Sequence, residues 1–275
     1  MLEFAILARG LYRPDQVIMQ HDPALCMPMT PAVQDWIERR WQEKLAAAKE
    51  RGTRLFDAPL YRFIEASAHE NGSLRVLVGN TGYKEYVTTR TAEFAREHAH
   101  HEVGNPLSVC TVVETADGNI LLDRRQGSVD VYAGRYHVIG GFFERGLDSS
   151  ALNGLPDPFG AVRRELREET GILVSDITEQ YCLGVVYDLN VPHAELCFLT
   201  RLHITLDEML HQRTPEEDEI KQLHSLYTTA ASLRDFILRH HGNISATGEP
   251  NLLLYGAWKF GESWFKEMMG CISTS

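Results

Sequence analysis

The 275-residue chain has an ordinary globular composition, with 44% hydrophobic and 24% charged residues. This composition excludes a disordered chain, a collagen and a simple coiled coil. Its 38 acidic and 27 basic residues give a net charge of −11, which argues against general binding to nucleic-acid backbones. A small phosphorylated ligand is compatible with this charge, because a few arginines or a metal ion can reverse the field inside one pocket.

The apolar runs and the cysteines predict a soluble, cytoplasmic protein. No uninterrupted apolar run reaches the roughly 18 residues that a membrane crossing needs, and the first residues lack a signal-peptide core. The five cysteines lie far apart without a CxxC pair, which indicates reduced thiols.

The amino-terminal part of the chain predicts a smaller α+β domain over residues 1–105. It opens with a short apolar strand, and a long helix follows Thr30 and Pro31, a cap residue and a first-turn proline. Two extended segments then meet at Asn71 and Gly72, a pair typical of hairpin turns because both residues tolerate positive φ. A polar linker precedes the next domain.

The remaining residues, 106–275, predict an α/β domain with a mixed sheet. Strands precede a helix at about residues 159–170, which stops at Gly171, and a second hairpin turns around residues 190–192. Strands that flank helices in this order favour an α/β fold.

The helix of this second domain carries the strongest chemical pattern. Residues 164–172 read RELREETGI, so Glu165, Glu168 and Glu169 share one helix face. Like charges on one face repel each other unless a cation lies between them, and Mg²⁺ is usually held by a few carboxylates together with substrate phosphates. The spacing therefore predicts a metal site on a helix, although three glutamates taken alone are also typical of a solvated acidic face.

The complete run is REUxEExGU, with U an aliphatic residue. By chance, it would occur in on the order of one in 10⁵ chains of this length. It is the second half of the Nudix box, so the sequence resembles the Nudix hydrolases. The resemblance implies a Nudix α/β/α sandwich, Mg²⁺ or Mn²⁺ as cofactor, and hydrolysis of a nucleoside diphosphate linked to another group. It assigns the metal to Glu165 and Glu169, with Glu168 beside them, and Arg164 completes the predicted catalytic set by orienting Glu165.

The first half of the box departs from the family pattern. The glycine pair at residues 140–141 is in place, but Arg164 follows the second glycine by 23 positions, nine more than usual. Leu147 occupies the position of an expected glutamate. That carboxylate is therefore missing, or displaced to Asp148 or Asp157.

A narrower resemblance covers most of residues 30–200. The segment LFDAP at residues 55–59 and the element GNTGYKEY at residues 79–86 are similar to the Nudix branch described as a UDP-glucose pyrophosphatase. That branch also has paired arginines ahead of the double glycine. The substrate-binding residues that this resemblance implies are Phe56, Tyr83, Arg124, Arg125 and Glu144. Two positions differ, since His137 replaces an aspartate and Phe142 replaces a histidine, and both bear on the choice of sugar and base.

Each of these residues also has a purely structural interpretation. Phe56 is equally well a core aromatic residue, and Tyr83 and Tyr86 are equally well strand residues that pack on the helix. The arginine pair on its own is typical of a solvated strand end. Glu195, at the head of an apolar strand, is a candidate for a further ligand or base.

The predicted reaction is Mg²⁺-dependent hydrolysis of UDP-glucose or UDP-galactose to UMP and a sugar 1-phosphate, in a cleft between the two domains. One alternative is an ADP-ribose pyrophosphatase, or an enzyme for another nucleoside diphosphate derivative. A second alternative is a nucleotide-binding sensor without turnover. The expected partner is a small nucleotide sugar, with neither nucleic acid nor membrane, and a homodimer is compatible with the family resemblance.

Overall fold

The structure is a computed structural model that describes residues 2–99, 102–125, 131–151, 154–212 and 222–274. Its strands are β1 (Phe4–Tyr12), β2 (Val17–His21), β3 (Pro59–Ala68), β4 (Leu74–Gly82), β5 (Leu107–Glu114), β6 (Asn119–Arg124), β7 (Tyr136–His137), β8 (Ile139–Phe142), β9 (Ile177–Asp188), β10 (His193–Leu202) and β11 (Leu223–Tyr227). Its helices are α1 (Pro31–Glu50), α2 (Tyr83–Thr89), α3 (Ala92–Ala95), α4 (Pro158–Thr170), α5 (Leu206–Gln212), α6 (Ala230–His240), α7 (Gly248–Phe260) and α8 (Glu262–Ser273).

The larger of two sheets has eight strands within the described ranges. Its main path runs β1-β9-β10-β5-β6-β11, while β8 pairs with β5 and β7 pairs with β6. The β10–β5 pair is parallel and the other pairs are antiparallel, so the sheet is mixed, as predicted. The smaller sheet has the order β2-β4-β3.

Helices cover both faces of the large sheet. Apolar residues of one face pack with α4 and with the smaller sheet, in a core that includes Val109, Leu166 and Leu196. Apolar residues of the opposite face pack with α6, α7 and α8 around Val112 and Leu253. The chain therefore folds as an α/β/α sandwich, which confirms the predicted fold class. Among the helices that the structure describes, none combines the length and apolar character that a membrane crossing requires.

Strand β1 belongs to the large sheet. The predicted boundary at residue 105 assigns it to the amino-terminal unit, but it pairs with β9 from Phe4↔Asp188 to Tyr12↔Cys182. Strand β3 also reaches across this boundary, because Tyr61 N donates a hydrogen bond to Phe143 O at 3.1 Å. Pairing between strands so far apart in sequence leaves no local pattern, which is why composition alone placed β1 with its chain neighbours.

Helix α4 begins and ends as its sequence predicts. The Asp157 side chain accepts a hydrogen bond from Gly160 N at 2.9 Å, and Pro158 occupies the first helical position. The helix stops at Gly171, whose φ of 73° is the left-handed conformation that glycine adopts most easily. Two other elements differ from prediction: β2 forms between the first strand and the helix after Thr30, where no strand was predicted, and Tyr83 begins a helix rather than lying in a strand.

Candidate active site

A cleft of about 1280 Å³ opens where α4, β8, α1 and α2 meet. It brings together both parts of the predicted site, although these parts are distant in sequence. The predicted residues that line it are Phe56, Tyr83, Arg125, Glu144, Arg164, Glu165, Glu168 and Glu169. Arg124 lies outside the cleft: its side chain is exposed, and its Nε donates to Gly134 O at 3.2 Å.

Arg164 organises the carboxylates of α4. Its Nη1 lies 2.9 Å from Glu165 Oε1 and 2.9 Å from Glu168 Oε2, so it neutralises part of the charge on this helix face. Burial opposes the charged form of Arg164, but its hydrogen bonds with Asp148 and the charge of Glu165 raise its pKa above the usual value. Arg164 therefore contacts Glu165, as predicted, and also contacts Glu168.

Asp148, in the loop before α4, is bound by the arginine of the motif. Both of its carboxylate oxygens accept hydrogen bonds from Arg164, from Nε and Nη2, each at 2.8 Å. Its side chain is only 1% exposed, and it also accepts a hydrogen bond from Glu144 N at 2.7 Å. Leu147, at the expected glutamate position, is exposed. Of the two candidates for the displaced carboxylate, Asp148 binds Arg164, whereas Asp157 caps α4.

Glu165 lies in a space that only a glycine leaves open. A Cβ atom on Gly141 would lie 2.4 Å from Glu165 Oε1, so the glycine pair allows this carboxylate to pack against β8. Burial raises the pKa of Glu165 to about 8, although the positive charge of Arg164 opposes this shift. A buried carboxylate with a raised pKa is a site where an added positive charge is strongly stabilising.

The donor chemistry of α4 fits a hard divalent cation. Glu165, Glu168 and Glu169 all line the cleft and offer oxygen ligands, which Mg²⁺ and Mn²⁺ prefer over nitrogen or sulfur. Within the described ranges, however, no group of three or more His, Cys, Asp or Glu side chains forms a ready-made metal cluster. The guanidinium of Arg164 lies against two of the three carboxylates, and it supplies their compensating charge in this structure.

Glu144 lines the same part of the cleft, close to the α4 carboxylates. Burial raises its pKa, the charge of Arg164 opposes this shift, and the charges of Asp148 and Glu168 add to it. Glu144 therefore adds a further carboxyl group to the acidic side of the cleft.

Aromatic side chains form a second wall. Phe56 is 70% exposed and lines the cleft, so the interpretation of this residue as part of the core is wrong. The ring of Tyr83 lies 5.6 Å from that of Phe142, edge to face, and Phe142 has the same distance and arrangement with Tyr86. Phe142, one of the two positions that differ from the UDP-sugar branch, therefore extends the aromatic wall.

Several basic side chains also line the cleft. Arg125 is held at the lining by a hydrogen bond from its Nε to Val131 O at 3.1 Å. Arg51, Arg54 and Arg90 line the cleft as well, although no sequence motif drew attention to them. In a protein of net charge −11, this concentration of arginines favours an anionic ligand.

The inner end of the cleft contains polar residues. Of these, the sequence predicts Glu195 as a candidate ligand or base and marks His137 as a position that differs from the UDP-sugar branch. His193 and Glu195 stand two positions apart on β10, so both side chains point to the same face of the sheet. His137 contacts Ser245 through a hydrogen bond of 2.6 Å between Nδ1 and Oγ, across 108 residues of sequence. The pair His193 and Glu195 can be recognised in the sequence, because two polar residues interrupt an apolar strand. The contact between His137 and Ser245 cannot be recognised there, because the two residues are distant in sequence.

Several known proteins are similar to this chain. The family model described as the NUDIX domain matches residues 104–242, just over half of the chain. Nudix hydrolase 9 from Arabidopsis thaliana is 24% identical over 230 residues, which cover 71% of this chain and 72% of that protein. The DR0079 protein from Deinococcus radiodurans has 18% identity and a TM-score of 0.37, with 54% of this chain and 80% of that one covered. A MutT protein from Methanosarcina mazei Go1 has 15% identity and a TM-score of 0.36, with coverages of 56% and 94%.

The chain belongs to the Nudix family. It is a pyrophosphohydrolase, an enzyme that hydrolyses phosphoric anhydride bonds. Enzymes of this family generally use divalent cations such as Mg²⁺.

A side chain at Gly141 should disturb Glu165, because the two residues are in close contact. In a Gly141→Ala variant the new methyl group would displace the Glu165 carboxylate, which lies at the end of a flexible side chain, so the fold should persist. We expect kcat/KM for hydrolysis to fall by about tenfold to a hundredfold, because small displacements of catalytic groups are costly. Gly270→Ala is the control, since a Cβ atom there has nothing within 4 Å. Equal activity of the two variants would show that the position of this carboxylate is unimportant.

Proposed function

We propose that the protein hydrolyses a nucleoside diphosphate sugar, most favourably UDP-glucose or UDP-galactose, to UMP and a sugar 1-phosphate. The observation that carries this proposal is a single cleft that joins an aromatic wall, a group of arginines and the α4 carboxylates. These three surfaces match three features of such a substrate: its flat base, its negatively charged diphosphate and, within the diphosphate, the phosphorus atom that is attacked.

The aromatic wall would bind the base. Phe56 and Tyr83 present ring faces and edges at the cleft, and aromatic side chains bind nucleobases by stacking. Arg125 would contact the diphosphate, because a guanidinium donates hydrogen bonds in a geometry that suits phosphate oxygens. Glu144, close to both α4 and the small sheet, would contact the substrate beside the reacting group.

Glu165, Glu168 and Glu169 would hold a divalent cation, Mg²⁺ or Mn²⁺. When bound, this cation neutralises the negative charge that develops on the phosphoryl oxygens. Arg164 keeps Glu165 and Glu168 in position through its contacts at 2.9 Å and is itself anchored by Asp148.

A panel of nucleotides tests this proposal. The purified protein with Mg²⁺ should be incubated separately with UDP-glucose, UDP-galactose, ADP-ribose and a nucleoside triphosphate, and the products separated by chromatography. We expect UMP and sugar 1-phosphate from the UDP-sugars, and we expect EDTA to abolish turnover while an excess of Mg²⁺ restores it.

The other results of this panel have distinct meanings. AMP from ADP-ribose alone would keep the pyrophosphohydrolase chemistry and contradict the UDP-sugar assignment. An unchanged rate in EDTA would contradict the role of the α4 carboxylates as cation ligands. Thermal stabilisation by a nucleotide, without any product over hours, would favour the sensor.

A further inference from the structure

The inner end of the cleft contains a group of polar side chains that the proposed chemistry does not use. We call His137, His193, Glu195 and Ser245 the inner polar wall. All four line the cleft, and each is at most 8% exposed. They come from β7, β10 and the segment before α7, so the wall is built by elements that are distant in sequence.

Glu195 is the group in this wall that requires a ligand. One carboxylate oxygen, Oε1, lies 3.5 Å from His193 Nε2, while Oε2 is buried without a hydrogen-bond partner in the described part of the chain. The neighbouring Cys110 thiol donates toward Cys197 Sγ at 3.9 Å, and its interaction with Glu195 also lowers the pKa of that carboxyl group. Buried carboxylates are normally satisfied by donors, so a carboxylate that lines a cleft in this state is matched to a donor on a ligand.

The histidines fix the charge and direction of Glu195. His193 must carry a proton on Nδ1, because this atom faces the carbonyl oxygen of Val191 at 2.8 Å and a carbonyl only accepts. Burial opposes the ionisation of Glu195, but the hydrogen bond from His193 and the charge of His193 hold its pKa at about 2. Burial lowers the pKa of His137 to about 4, so this imidazole is neutral at neutral pH.

The wall differs in chemistry from the rest of the cleft. A nucleobase gains most from flat apolar surfaces, and these lie at Phe56, Tyr83 and Phe142. In the inner polar wall, His137 Nδ1 bonds Ser245 Oγ, and the two nitrogens of His193 face Val191 O and Glu195 Oε1, whereas Glu195 Oε2 is buried without a hydrogen-bond partner in the described part of the chain. A ligand hydroxyl group suits this atom, because a hydroxyl can donate to a carboxylate oxygen.

We propose that the inner polar wall binds the sugar of the substrate and that the Glu195 carboxylate accepts a hydrogen bond from one sugar hydroxyl. This inference rests on the proposed function, because it assumes a nucleoside diphosphate sugar as substrate. It makes Glu195 a specificity-determining residue rather than a cation ligand.

The test compares substrates that differ only in the sugar. The purified wild-type protein and a Glu195→Gln variant, checked for folding by circular dichroism, are assayed with UDP-glucose, with analogues that each lack one sugar hydroxyl, and with the methyl ester of UDP. We expect the substitution to lower kcat/KM for UDP-glucose by about tenfold more than for the methyl ester, because a charge-assisted hydrogen bond is lost. We also expect one deoxy analogue to be hydrolysed more slowly than UDP-glucose by the wild type but not by the variant.

A matched control is Glu249→Gln. Glu249 is also a buried glutamate beside a histidine, with its Oε1 2.8 Å from His241 Nδ1, but it lies outside the cleft lining. The control should keep the wild-type ratio between UDP-glucose and the methyl ester. Equal losses of kcat/KM on both substrates in Glu195→Gln, or a variant that still discriminates every deoxy analogue as the wild type does, would overturn the proposal.

A direct binding measurement separates this proposal from the proposed function. Calorimetry with glucose 1-phosphate and with methyl phosphate measures the contribution of the sugar without turnover. If the wild type hydrolyses no UDP-sugar but binds glucose 1-phosphate more tightly than methyl phosphate, and Glu195→Gln removes this difference, the sugar site stands while the substrate assignment fails. If hydrolysis of UDP-glucose is confirmed but Glu195→Gln leaves the difference in binding intact, the sugar site is refuted alone.

Discussion

A Glu169→Gln variant should fold normally and lose turnover by about a hundredfold or more. Glutamine keeps the size of the side chain but removes its negative charge, and hard divalent cations require anionic oxygen ligands. Glu169 lines the cleft on the same face of α4 as Glu165, in a half-buried position. The measurement is kcat/KM for nucleotide hydrolysis at saturating Mg²⁺, together with Mn²⁺ affinity followed by electron paramagnetic resonance.

The control for this variant is Glu267→Gln on α8. Glu267 is exposed and forms its ion pair with Arg234 at 3.0 Å, at the surface. It should keep wild-type turnover and Mn²⁺ affinity, because the substitution changes the net charge equally but away from the cleft. Turnover in Glu169→Gln equal to that of the control would remove the argument that α4 is the cation site.

Local sequence patterns predicted the bounds of helix α4, which bears Glu165, Glu168 and Glu169. The glutamate spacing, the proline at the start and Gly171 at the end together define α4, because helix caps and helix periodicity act over only a few residues. The hairpin of β9 and β10 and the helix after Thr30 follow from signals of the same kind. The fold class then follows from the order of these elements.

Residues whose position depends on distant contacts were not predictable in the same way. The position of Asp148 depends on its contact with Arg164, which lies 16 positions later in the sequence. A contact over this separation leaves no local sequence signal. Arg124 and Arg125 look equivalent in sequence, but successive residues of an extended segment point in opposite directions, and only Arg125 faces the cleft. The sequence therefore predicted both arginines as substrate-binding residues, whereas only Arg125 lines the cleft.

Arg164 should affect the stability of the fold as well as turnover, because it binds the buried carboxylate of Asp148. Its side chain is 14% exposed and Asp148 is 1% exposed, so Arg164→Met would leave a buried carboxylate without its main partner. We expect a loss of about 3–5 kcal/mol in the free energy of unfolding, measured by urea denaturation. The surface pair gives the control, since Arg234 is 45% exposed and Arg234→Met should change stability little.

The double variant Arg164→Met with Asp148→Leu shows where this loss comes from. If most of it is the cost of an unpaired buried charge, removing the carboxylate should restore about 1–3 kcal/mol relative to Arg164→Met alone. Hydrolysis should nevertheless stay low in the double variant, because Glu165 and Glu168 have lost the guanidinium that positions them at 2.9 Å. Recovery of stability without recovery of turnover would separate the two roles of Arg164. A double variant as unstable as the sum of its single variants would show that Arg164 and Asp148 are not energetically coupled.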